Sequence, residues 1–211
     1  MKTVMSKTDY KIKNVEKSQC LDLLKNYHYL SKTEGNKGFK TGQNYGLFNK
    51  DMDIVGLCIF TGLPVPEIAK GMYGLDRNEQ GGLWELSRFV LRPDVQQEEH
   101  NAASWFLSRC LKLLKKSVLV RSVLSYADCS EHTGTIYAAC NFKFYGKSAP
   151  KKDFWIKKSD LFNNDVFEKH KRGKVKGLEG EWRPRTQKLR FAITYDKALK
   201  ILWKEMKWGT A

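Results

Sequence analysis

Apolar positions along the chain change their period several times, and each change marks an element. In VEKSQCLDLLKNYHYL, residues 15–30, Val15, Cys20, Leu21 and Leu24 share one side at helical spacing, which predicts a short amphipathic helix. The Gly- and Lys-rich stretch SKTEGNKGFKTGQ that follows is loop. NYGLFNKDMDIVGLCIFTG holds two apolar segments around residues 49–53 and reads as a β-hairpin. A long irregular connection, LPVPEIAKGMYGLDRNEQGG, is predicted next; such loops in compact domains tend to carry function. LWELSRFVLR is a strand. NAASWFLSRCLKLLKK is a helix with Ala103, Phe106, Leu107, Cys110, Leu111 and Leu114 on its buried face and Asn101 as N-cap. SVLVRSVLSYAD is a second buried strand ending at Asp128, and the small-residue segment TIYAACNF is a helix. In the last third DFWIKKSDLF and LRFAITYD are strands, separated by the basic stretch FEKHKRGKVKGLEGEWRPRTQK. DKALKILWKEMKW is predicted to close the chain as a helix.

Strand–helix–strand succession needs a crossover and favours a parallel pair with helices packed on it. The fold class expected is therefore α/β, or mixed α+β, with a central, partly antiparallel sheet flanked by helices. One domain over residues 1–211 with a basic C-terminal portion, about 147–211, suits a chain that is 41% hydrophobic. Apolar runs such as residues 54–60 are too short to cross a bilayer, and MKTVMSKTDYKIK lacks the apolar region of a signal peptide, so a soluble cytoplasmic protein is expected. The five cysteines form no C-x-x-C pair and read as reduced thiols; Cys58 and Cys110 sit in packing patterns, and Cys129 borders a polar segment where chemistry is the alternative.

Charge adds a partner class. The net charge is +15, and residues 143–211 carry 19 lysines and arginines against 8 acids, a net of +11. That bias points to a polyanion, nucleic acid first, with Lys171, Arg172, Lys174, Lys176, Arg183 and Arg185 as candidate contacts. A solvated lysine surface is the alternative.

The candidate chemistry gathers in SYADCSEHTGTIYAACNFKFYG. Ligands of open α/β sheets collect beyond the carboxyl ends of strands, which is where Ser125, Asp128, His132 and Tyr137 fall. Asp128 can orient a base or cap the next helix, and His132 has general-base chemistry near neutral pH. Asn101, Ala102, Ala103 and Ser104 open a helix after a strand and a loop, an arrangement that offers free N–H groups to an anion or is simply a capped helix. Arg88 lies mid-strand and must face a phosphate, an acid or solvent. Glu85, three residues away, points to the other face of a regular strand. His28-Tyr29 is an aromatic, titratable pair at the end of the first helix. Neither G-x-G-x-x-G nor G-x-x-x-x-G-K-[ST] occurs, which argues against Rossmann and P-loop readings, and no H-x-x-x-H metal spacing is present.

With these residues in view, the chain resembles the Mom family of phage DNA-modification proteins, which look like divergent members of the GNAT acyltransferase superfamily. The motifs that carry the resemblance are HYL, ELSRFVL, the NAASWFL helix start and SYAD…HTGTIYAACNF.YG, in that order, over residues 27–146. The resemblance implies modification of adenine N6 in duplex DNA with a carbamoylmethyl (acetamido) group, which shields phage DNA from host restriction. It implies a donor of the acetyl-CoA type, held where two parallel strands splay, with its pyrophosphate at residues 101–104. The Arg/Gln-x-x-Gly-x-Gly/Ala loop of that superfamily is missing, and PDVQQEEHNAAS stands in its place. Some members look iron-associated, with no ligand set to carry over. The site it implies contains His28, Tyr29, Ser125, Asp128, His132 and Tyr137, with tyrosines such as Tyr126 stacking on an extruded base. Two other readings are an N-acyltransferase acting on a protein or small amine, and a non-catalytic DNA-binding protein.

Overall fold

Alternating Val, Ile, Leu and aromatic residues build one large sheet, and helices cover both of its faces. The computed structural model describes residues 3–4, 9–28, 40, 42–159, 165–170 and 173–209. In chain order the first half contains β1 (Thr3–Val4), β2 (Lys11–Asn14), α1 (Lys17–Tyr27), β3 (Gln43–Phe48), β4 (Ile54–Gly62), α2 (Pro66–Tyr73) and β5 (Leu83–Leu91). Next come α3 (Pro93–Glu98), β6 (Glu99–His100), α4 (Ala102–Ser117), β7 (Ser122–Asp128), α5 (Thr135–Ala139) and β8 (Lys143–Lys147). The chain continues through β9 (Lys151–Ser159), β10 (Asp165–Lys169), β11 (Gly180–Arg185) and β12 (Lys188–Thr194). The main sheet has seven strands in the order β2-β3-β4-β5-β7-β12-β8, in which β5 and β7 pair in parallel and every other pair is antiparallel. The mixed α+β class expected from the sequence is the class observed.

One face of the sheet packs on α4. Phe106, Leu107, Cys110, Leu111 and Leu114 meet Leu47, Cys58, Phe60, Leu86 and Val123, all buried. Each large apolar side chain removed from water there stabilises the fold by about 1.5–3 kcal/mol. The other face carries α1, whose Cys20, Leu23 and Leu24 meet Leu57, Ile59 and Val90. Beside it α2 sets Ala69, Met72 and Tyr73 against Leu83, Leu124 and Ala192. Leu21, expected on the buried face of α1, is 41% exposed, and Leu23 takes its place.

Three further expectations are corrected. The connection read as wholly irregular contains α2, started by Pro66 in its first turn and stopped by Gly74 at φ 73. The basic stretch, read only as the separator of two strands, takes part in strands of its own: β10 and β11 flank β9 in a separate three-stranded antiparallel sheet. The closing segment is not a helix. Residues 196–209 run as an irregular strap whose backbone groups bond elsewhere in the fold: Leu202 N–H donates to the Met72 carbonyl at 2.8 Å and Met206 N–H to the Phe144 carbonyl at 2.9 Å. Trp203 lies 4.3 Å from the Arg190 guanidinium, a further tether that outweighs local helix propensity. No helix among the described residues is long and apolar enough to cross a membrane.

Candidate active site

The parallel pair at the centre of the sheet is paired for only four residues, from Leu83 opposite Ser122 to Leu86 opposite Ser125. Beyond that point β5 continues to Leu91 and β7 to Asp128 without pairing with each other. The cause is local. Across β4, Ile59 is opposite Arg88 and Phe60 is opposite Leu86, so Ser87 is an extra residue, a β-bulge that bends β5 and increases its twist. The Ser87 hydroxyl donates to the Ile59 carbonyl at 3.1 Å and holds the bulge in place.

The gap opens into two adjoining cavities of about 200 and 410 Å3. His28, Phe89, His132 and Ile136 line both. The smaller is completed by Ser87, Tyr126 and Tyr137, and the larger reaches Gln96 and Ala103. Three residues from the predicted set, His28, His132 and Tyr137, therefore meet at the gap although 104 or more positions separate His28 from the others.

His28 ends α1 and is 6% exposed. Burial, with smaller contributions from the Arg88 guanidinium and His132, pushes its imidazole down to about 4, so the ring is neutral at physiological pH. His132 is exposed and sits on a turn shaped by Asp128. The Asp128 carbonyl accepts from His132 N–H at 2.9 Å, while its carboxylate accepts from the Ser130 N–H at 3.1 Å and hydroxyl at 2.8 Å. Asp128 thus builds the turn and does not line the cavities; the N-cap of α5 is Gly134, at φ 82. Tyr137 packs 5.0 Å from Phe191 between ring centroids, and this aromatic floor fixes α5.

Other predicted residues fall elsewhere. Ser125 is fully buried and its hydroxyl donates to the Leu86 carbonyl at 3.2 Å, closing the last rung before the gap. Arg88 lines neither cavity, although its charge acts on His28; its Nη1 donates to the Ser87 carbonyl at 2.6 Å. Asn101 is the N-cap of α4, as expected, but at φ 61 and with no side-chain cap bond; its carbonyl accepts from Trp105 N–H at 2.9 Å and the Ser104 hydroxyl at 3.1 Å. The N–H groups of Ala102, Ala103 and Ser104 head a 16-residue helix with no acid in its first turn, so they carry positive dipole toward the larger cavity that Ala103 lines. Tyr29, Lys171 and Arg172 lie outside the described residues.

The bulge has a second effect. Ile59 and Thr61 share a face of β4 and are opposite Arg88 and Glu85, so Glu85 and Arg88 share a face too, contrary to the parity of a regular strand. Register extends that face through Tyr126 with Arg190 and through Asp128 with Lys188. Burial raises the Glu85 carboxyl above its ordinary range against the pull of Lys188, Arg88 and Lys40. Burial, aided by the charge of Glu85, pushes Tyr126 up to about 12. Glu85 is a functional candidate that sequence reasoning places on the wrong side, since nothing in the residue types of WELSRFV announces a bulge.

Of the basic candidates, Lys174 and Lys176 are exposed and make no ion pair among the described residues. Arg183 sits 4.9 Å from the Trp155 ring and 4.4 Å from Phe167, and pairs with Glu181; Arg185 reaches Asp153 at 4.0 Å. These two arginines hold the small sheet together. No three His, Cys, Asp or Glu side chains among the described residues converge on one point, so the iron implied by the resemblance finds no ligand set among them. Cys20, Cys58, Cys110 and Cys140 are buried and Cys129 is exposed, all as free thiols.

Comparison with solved structures places the fold. The chain is similar to a Bacillus subtilis acetyltransferase crystallised with CoA, at TM-score 0.51 and 15% identity over 88% of this chain and 98% of that one. It is also similar to the ribosomal-protein-S5-alanine acetyltransferase of Vibrio fischeri, at TM-score 0.51 and 9% identity over 96% and 99%. A GNAT-family acetyltransferase from Streptococcus pneumoniae matches at TM-score 0.50 and 9% identity over 88% and 99%. The fold is that of the GNAT acetyltransferases, with the gap between β5 and β7 at its centre. No curated protein matches the chain in sequence. The model of the Mom protein family matches residues 9–205, nearly the whole chain, and the protein belongs to that family.

Proposed function

We propose that this chain is an enzyme that modifies adenine N6 in duplex DNA, using an acyl-CoA-type donor and leaving an acetamido (carbamoylmethyl) group. The observation that carries the reading is the gap past Leu86 and Ser125, where His28 and His132 line two adjoining cavities, the smaller completed by Tyr126 and Tyr137 and the larger reaching Ala103 at the head of α4.

The residues present fit such a donor. The N–H groups of Ala102, Ala103 and Ser104 would hold its pyrophosphate, and two small alanine side chains leave room for close approach. When bound, an acyl thioester would supply the two-carbon unit. Attack at its carbonyl alone would leave N6-acetyladenine, so the carbamoylmethyl product requires a donor whose methylene carbon bonds to N6 as a leaving group departs with the bonding pair, and an ammonia-level nitrogen that displaces the thiol at the carbonyl. The protein's own groups do the rest. Adenine N6 is a weak nucleophile because its lone pair is delocalised into the ring, so a base must take its proton. Neutral His28 accepts a hydrogen bond from the amino group, and His132, at the open end of the gap, takes the proton. Tyr126 and Tyr137 offer rings against a base extruded from its stack, an extrusion that costs a few kcal/mol. Glu85, kept protonated more readily than an exposed acid, lies on the face of Tyr126 and tunes that side of the gap.

Lys174 and Lys176, with Lys151 and Lys152 of β9, supply cations for the duplex backbone. Plasmid DNA prepared from cells expressing the chain should resist restriction enzymes whose sites contain adenine, and DNA from cells expressing His132→Ala should be cut. Full cleavage of both DNAs, with the wild-type protein soluble and folded, would refute the reading. A small-amine acyltransferase would give that second pattern.

A further inference from the structure

On the far side of the turn formed by residues 132–135 lies a second hollow, of about 420 Å3. It shares His132, Thr133 and Thr135 with the gap, and Cys129, Phe144, Lys147, Leu189, Trp208 and Gly209 complete its wall. Trp208 arrives there on the C-terminal strap. Met206 pairs with Phe144, its sulfur filling the space a Cβ on Gly146 would need, at 2.8 Å. Lys143 Nζ meets the Glu205 carboxylate at 2.7 Å. The Trp208 indole N–H then donates to the Thr133 carbonyl at 3.2 Å, fixing the ring by its edge beside that turn, and the residue remains 39% exposed. The hollow has an apolar floor in Phe144 and Leu189, a hydroxyl pair in Thr133 and Thr135 at 2.8 Å, and at its rim Lys147, which makes no ion pair among the described residues.

A fixed indole, an apolar floor, hydroxyls that both donate and accept, and a cation at the rim are together the requirements of a nucleotide: a flat base to stack, polar edges to pair and a phosphate to neutralise. We propose that this hollow is a second nucleobase subsite, taking an unstacked base next to the one in the gap, with Trp208 as its stacking platform. The subsite rests on DNA being the acceptor. The strap is what completes it, since residues 196–209 bring Trp208 across the sheet to a turn more than seventy positions earlier in the chain.

The test is the affinity of the full chain for a short single-stranded, adenine-containing oligodeoxynucleotide, read by fluorescence anisotropy alongside thermal melting. Trp208→Ala should weaken binding about tenfold, the scale of removing one base–aromatic stack, while Trp208→Phe, which keeps a ring and loses the N–H, should stay within about threefold. If Trp208→Ala lowers the melting temperature, Lys147→Gln decides instead: it should weaken binding about two- to threefold and flatten its salt dependence. Wild-type affinity in Trp208→Ala and Lys147→Gln would overturn the subsite. So would equal losses in Trp208→Ala and Trp208→Phe, which would assign the effect to the tether alone. Absence of modified adenine from DNA exposed to the wild-type enzyme would overturn the functional reading and leave this binding result to stand or fall by itself.

Discussion

Leu86 and Ser125 are the last residues at which β5 and β7 pair, and the Ser125 hydroxyl donates to the Leu86 carbonyl at 3.2 Å. This hydrogen bond sets where the sheet opens. Ser125→Ala removes a fully buried donor and leaves that carbonyl with one partner fewer, a loss of about 1 kcal/mol. The melting temperature should fall by about 2–4 °C. Differential scanning calorimetry checks it; an unchanged melting point would mean that the rung does not brace the gap.

Gly134 shows how closely the turn at residues 132–135 is backed by the core. It has φ 82, and a Cβ there would meet Phe191 ring carbons at 2.4 Å. Gly134→Ala must either strain the turn or displace the ring against which Tyr137 packs, at a cost of about 2–5 kcal/mol. Chemical denaturation of the purified variant should show that loss, with modification activity falling in step.

His28 makes stability depend on pH in a stated window. Its imidazole is near 4 in the folded protein and near 6.5 when unfolded, so the unfolded chain binds more protons between those values. Its contribution, on the order of 3 kcal/mol, is fully present above pH 6.5 and is lost as pH falls toward 4. The melting temperature of His28→Asn, followed from pH 7 to pH 4, should decline less steeply than that of the wild type. Parallel curves would show that the burial of this ring does not govern its titration.

Much of the architecture is legible along the chain. The helical period of residues 102–114 and the apolar runs of β4, β5 and β7 specify their elements because their burial follows the pattern. The closing segment misleads for the opposite reason. Leu199, Ile201 and Trp203 pack on the sheet, but tertiary contacts at Met72, Phe144 and Arg190 hold the backbone out of a helix. β10 and β11 are hidden by charge, since most of their residues face solvent and both strands pair with β9. At the site, His28, His132 and Tyr137 stand out by residue type and do converge. Glu85 escapes notice because parity along a strand assumes regular pairing, and Ser87 breaks it without a sequence signal.

The basic surface makes a prediction about salt. Lys174 and Lys176 are exposed and outside the ion pairs of the described residues, whereas Arg183 is sandwiched between Trp155 and Phe167. Replacing both lysines by alanine should make the logarithm of DNA affinity less steep in the logarithm of salt by about 2, near 0.9 for each phosphate no longer neutralised. Arg183→Ala should instead lower the melting temperature. Filter binding over a salt series distinguishes the two effects.

The chemistry itself is tested by mass spectrometry of the nucleosides in plasmid DNA from cells expressing the wild-type chain. A deoxyadenosine species heavier by two carbons, three hydrogens, one nitrogen and one oxygen should appear, and should be absent when His132 is replaced by alanine. Unmodified deoxyadenosine from cells holding abundant, folded, DNA-binding protein would contradict it.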